Sequence, residues 1–191
     1  MGVLLGMSAS RLGTCDEPTY KSLTVHIPTL LPSMYDLDLP NNVATCSLFA
    51  VGLLFICNGN RGFSEIALGL IGRKPLSDKV NDREGSSLAA GVALGLINLG
   101  RGSPWKRELQ VEERLVRFVQ GGNVMPPPSS SLSYNVHQSE GQISSIKEGN
   151  MVNIHVTAPA GIMALLLLNL QTNNQQICEQ LSIPSTFSQL E

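Results

Sequence analysis

Ser87-Leu88-Ala89-Ala90-Gly91-Val92-Ala93-Leu94-Gly95 is the stretch on which the fold turns. Positions four apart lie on one face of a helix, so Gly91 and Gly95 would leave a shallow groove along it. A neighbouring helix can enter such a groove and come closer than the usual spacing of about 8–10 Å. A glycine inside a helix costs ~1 kcal/mol relative to alanine, so two of them imply a packing gain that offsets the loss. Val92, Ala93 and Leu94 between them are apolar, which suits a helix covered nearly all round.

The same text recurs on either side. Gly2-Val3-Leu4-Leu5-Gly6 differs from the 91–95 segment at one position of five, and Gly52-Leu53-Leu54-Phe55-Ile56 and Gly161-Ile162-Met163-Ala164-Leu165 are looser copies. Read from Gly2, Gly52, Gly91 and Gly161, the spacings are 50, 39 and 70 residues, a unit near forty with insertions. Self-similarity on that scale points to a stacked array. Gly2, Gly6, Gly52, Gly91, Gly95 and Gly161 are therefore the expected helix-packing positions.

Each copy is followed by a short turn rich in glycine or asparagine: Arg11-Leu12-Gly13, Asn58-Gly59-Asn60-Arg61-Gly62, Leu99-Gly100-Arg101-Gly102 and Gln171-Thr172-Asn173-Asn174. Gly or Asn there can supply the left-handed cap that ends a helix. Amphipathic segments follow, clearest at 64–71 and 111–119. In the second, Val111, Leu115, Phe118 and Val119 are expected to face in, and Glu112, Glu113, Arg114 and Arg117 to face water. The predicted fold class is mainly all-α, a helical-repeat α-solenoid or toroid segment of paired inner and outer helices. Its repeats would run over 1–120, with a low-complexity insertion at 121–142 and a hairpin plus a further partial repeat at 143–191. Pro126-Pro127-Pro128 and Ser129-Ser130-Ser131 mark the insertion as a disordered surface segment. Alternation at Ile146, Met151, Val152, Ile154 and Val156 around Glu148-Gly149 predicts a short β-hairpin near 143–156. Residues 25–40 read as an extended, proline-bearing connection.

Composition removes several functions. The 191 residues carry 13 Lys plus Arg against 15 Asp plus Glu, a net charge of −2, without the basic footprint of a nucleic-acid binder. Aromatics are 5%, too few for a base-stacking platform. The longest apolar run, 162–168, is far shorter than the ~20 residues a bilayer needs, and residues 1–5 lack the basic start of a secretory leader. A soluble intracellular protein, free of nucleic acid and membrane, is expected. Cys15, Cys46, Cys57 and Cys178 form no C-x-x-C pair. Cys46 and Cys57, within apolar text, read as small core residues.

Signals for chemistry are weak. Gly69-Leu70-Ile71-Gly72-Arg73-Lys74 lacks the Ser or Thr a phosphate loop needs after Gly-Lys, and reads as a helix end with basic residues complementing its dipole. Ser86 and Ser87 read as caps of the Leu88 helix and not as nucleophiles. Asp82-Arg83-Glu84 reads as the solvated first turn of that helix, and is also a candidate interface. Trp105, after Ser103-Pro104, is the natural single interface anchor. His26, His137 and His155 are scattered. No catalytic, cofactor or metal residue is assigned. The rival reading, a small enzyme, would need convergent polar groups among Asp82, Glu84 and His155.

Taken together, these motifs resemble the proteasome/cyclosome repeat family. The likeness runs in order through the 2–6 segment, His26-Ile27-Pro28-Thr29-Leu30-Leu31-Pro32, the 51–54 segment, Ile71-Gly72-Arg73, Asp82-Arg83-Glu84, the 87–95 segment, Val119 with Gly121-Gly122, Ile146-Lys147-Glu148-Gly149 and the 170–174 segment. The 26–28 connection and the 146–149 turn favour the family's anaphase-promoting-complex branch over its proteasome regulatory-particle branch. The resemblance implies repeats closing into a ring within a large non-catalytic scaffold. It further implies a role in an E3 ubiquitin ligase of mitosis and cell division, found in nucleus and cytoplasm. Its partners would be the other anaphase-promoting complex subunits and the co-activator, with no cofactor. The chain is several-fold shorter than the family's subunits, as a fragment or truncated form would be, and Leu70 stands where the family tends to carry an acidic residue. A partial array would leave apolar helix faces uncovered.

Overall fold

The computed structural model describes residues 1–31, 39–74, 83–102, 109–125 and 149–181. These residues are mainly helical. The helices are α1 (Gly2–Ser10), α2 (Glu17–Thr24), α3 (Asn41–Leu54), α4 (Arg61–Ile71), α5 (Arg83–Ile97), α6 (Val111–Gln120), α7 (Ile154–Leu168) and α8 (Gln175–Gln180), with a 3₁₀ turn at Pro28–Leu30. The odd-numbered helices pack in sequence, α1 on α3, α3 on α5, α5 on α7. Gly91 meets Ala160 and Gly95 meets Leu167, so both chains advance together and these helices are parallel. α2, α4 and α6 form a second layer, each against the odd-numbered helix that follows it.

Local chemistry explains where the second layer begins. Asp16 Oδ2 accepts from the Thr19 amide at 3.0 Å, Asn60 Oδ1 from Phe63 at 2.9 Å and Asn174 Oδ1 from Ile177 at 3.4 Å. Each satisfies a backbone donor that the first helical turn cannot. Pro18 stands in the first turn of α2, where a missing N–H costs nothing, so that helix survives a residue that reads as a breaker. α6 buries Val111 and Leu115 against the core while Glu113 and Arg117 stay exposed. Arg114, expected in water, is half-buried instead. Its Nε donates to the Leu109 carbonyl at 3.0 Å, and burial lowers its pKa.

The core is aliphatic. Leu23, Leu54, Ile71, Leu94, Ile97, Leu109, Leu115 and Leu165 are wholly inside. Tyr20, Phe55 and Phe63 add an aromatic cluster between α2, α3 and α4, with Tyr20 edge-on to Phe55 at 5.3 Å between ring centres. Asn98, also wholly buried, donates from Nδ2 to Ser64 Oγ at 2.8 Å and to the Leu94 carbonyl at 3.0 Å.

Several expectations are corrected. Residues 154–156 form the first turn of α7, capped by Asn153, whose side chain accepts from the His155 amide. Met151 pairs in a single antiparallel bridge with Asn123, flanked by Val124 to Asn150 at 2.8 Å and Val152 to Gly122 at 2.9 Å. The remainder of the expected hairpin, 143–148, and most of the insertion lie outside the described residues. α5 begins at Arg83, so Ser86 and Ser87 are inside the helix and cap nothing; Ser87 Oγ donates instead to the Ile71 carbonyl at 3.0 Å. Cys57 is exposed in a turn, and Cys46 is half-buried.

Candidate functional site: the joints between parallel helices

The turns after α1, α3, α5 and α7 share one backbone form. Two left-handed residues flank a single intervening one: Gly13 and Cys15, Cys57 and Gly59, Gly100 and Gly102, Gln171 and Asn173. The expected left-handed helix cap is thus displaced; Arg11, Phe55 and Asn169, which end their helices, have negative φ. Paired left-handed residues reverse the chain and aim two amides sideways. Gly13 and Cys15 donate to the Leu53 and Leu54 carbonyls, each at 3.2 Å. Cys57 and Gly59 donate to Leu96 and Ile97 at 3.0 and 2.8 Å, and Gly100 and Gly102 to Leu167 and Leu168 at 3.0 and 2.8 Å. These carbonyls belong to the last turn of the next parallel helix, where no intrahelical donor exists. Arg101 reinforces one joint by donating to the carbonyls of Cys57 and Asn58 at 2.9 and 3.3 Å.

The turns also fix the true repeat register. Gly13, Cys57, Gly100 and Gln171 are equivalent, so successive units stand 44, 43 and 71 residues apart. Counted from these turns, Gly52 matches Gly95 and not Gly91. The glycines of the motif thus stand at different positions in successive helices.

Small residues mediate the close contacts. A Cβ on Gly52 would stand 2.7 Å from Ala93 Cα, one on Gly91 2.7 Å from Ala160 Cα, and one on Gly95 2.6 Å from Leu167 Cβ. Gly161 faces the second layer instead, 2.9 Å from Val119 Cγ2 and 3.1 Å from the Leu115 carbonyl oxygen by the same measure. At Gly2 and Gly6 a Cβ would meet nothing within 4 Å among the described residues, and both are exposed.

Of the other candidate residues, Asp82 and Trp105 lie outside the described residues. Arg83 is half-buried and its Nη2 donates to the Arg73 carbonyl at 3.2 Å, while Glu84 is exposed. His155 is exposed at the start of α7. Among the described residues no group of three potential metal ligands occurs, and no helix is long and apolar enough to cross a membrane. The carboxyls of Asp16 and Glu17 are held below their ordinary pKa by Thr19 and Lys21 respectively, at the exposed start of α2.

An open groove of about 480 Å³ lies at the N-terminal ends of α1, α3 and α5, lined by Leu5, Cys46, Phe49, Leu88 and Val92. Among the described residues that line it, Asn42 and Thr45 are the polar side chains and none is charged. Such a surface can hold apolar groups. Exposed apolar side chains flank this groove's helices: Ile162, Met163 and Leu166 on α7, Leu170 just beyond it, and Met1 and Val3 at α1.

The chain matches a family model described as the APC1 fifth domain over residues 17–191. It is 37% identical over 198 residues to Anaphase-promoting complex subunit 1 of Homo sapiens, covering all of this chain and 10% of that protein. Its identity to Anaphase-promoting complex subunit 1 of Arabidopsis thaliana is 33% over 196 residues, covering 100% of the chain and 11% of that protein. A relative from Emericella nidulans named Negative regulator of mitosis is 31% identical over 195 residues, covering 97% of the chain and 8% of that protein. The chain thus spans about a tenth of the length of these curated relatives.

Proposed function

Because the chain belongs to the family of the APC1 fifth domain, we propose that it is a scaffold segment of an anaphase-promoting complex, one arc of a helical-repeat α-solenoid or toroid. Its role is to hold other subunits of that ubiquitin ligase, and its co-activator, in fixed relative positions during mitosis, and it performs no chemical step itself. Nucleus and cytoplasm are the compartments where this work is done, away from membranes and nucleic acid. The observation carrying the reading is the joint between parallel helices, repeated three times with the same paired backbone donors. Such joints transmit position from one repeat to the next. The names of the relatives favour the mitotic branch over a proteasome regulatory-particle scaffold.

The test is co-purification from cells of the chain's own species. Tagged chain should bring down anaphase-promoting complex subunits in fixed ratio, and Gly91→Val, which forces α5 and α7 apart, should release them. Recovery of proteasome regulatory-particle proteins in their place would move the assignment to the other branch. A turnover activity of the purified chain alone would overturn the scaffold reading.

A further inference from the structure

We draw no further inference here: the strongest candidate, the open apolar groove at the N-terminal ends of α1, α3 and α5 lined by Leu5, Cys46, Phe49, Leu88 and Val92, carries nothing because nothing in the structure shows what covers it.

Discussion

A Cβ placed on Gly91 would stand 2.7 Å from the Cα of Ala160, so α5 and α7 touch backbone to backbone at this point. No side chain can be pushed aside there, because the opposing atoms belong to the main chain. The closeness explains why a residue that weakens an isolated helix is retained in the middle of a buried one.

Gly91→Ala should destabilise the chain by about 1–3 kcal/mol, since the added methyl forces the two helices apart. Gly69→Ala supplies the contrast: a Cβ at exposed Gly69 of α4 meets nothing within 4 Å. That change should stabilise by about 0.5–1 kcal/mol through helix propensity alone. Urea unfolding of the two variants should shift the midpoint in opposite directions. A Gly91→Ala midpoint unchanged or raised would show that packing at Gly91 is looser than the contact implies.

Cys57 is exposed with φ of +58°, at the position that Gly13 and Gly100 fill in the neighbouring turns. A non-glycine residue held left-handed costs about 1–3 kcal/mol. Glycine returns part of that through greater freedom in the unfolded chain. Cys57→Gly should therefore stabilise by roughly 0.5–1 kcal/mol while keeping the amide bond to the Leu96 carbonyl. Thermal unfolding reads the gain directly, and a loss of stability would mean the thiol contributes a contact that outweighs the strain.

Asn98→Ala removes two buried side-chain donations, to Ser64 Oγ and to the Leu94 carbonyl, which keeps only the Asn98 amide at 3.3 Å. The expected cost is about 1–3 kcal/mol. Ser64→Ala in the Asn98→Ala background should cost less than in the wild type, because the two side chains act as a pair. Strict additivity in that double-mutant cycle would exclude the coupling.

Asp16 is held below its ordinary pKa of 3.8 chiefly by the Thr19 hydroxyl, then by the Thr19 amide and by Arg11. A carboxyl with a lowered native pKa stabilises fully above its unfolded value. That contribution fades as pH falls through the native value. The start of α2 should accordingly loosen only below about pH 3.8, read as faster hydrogen exchange at the Thr19 amide. Asp16→Asn should remove that acid dependence, and its persistence in the variant would assign the acid response to another group.

What the sequence determined by itself was the class of the fold and its parts. Apolar text with small residues four apart specified buried helices, and short turns rich in glycine or asparagine marked where one helix gives way to the next. These are short-range relations, set by helix geometry and by backbone donors needing a partner within a few residues. Order along the chain was also enough to show the family resemblance.

The tertiary structure alone decided which glycines meet a neighbour. Gly2 and Gly6 spell the same motif as Gly91 and Gly95, yet one pair opens to solvent and the other lies against a backbone. A glycine carries no side chain to declare its environment, so its role depends on what the next helix brings to it. The left-handed residues at Cys15 and Cys57 were hidden for a related reason. Their φ is imposed by two amides reaching carbonyls on the following helix, about forty or more residues away in the chain, and not by local preference.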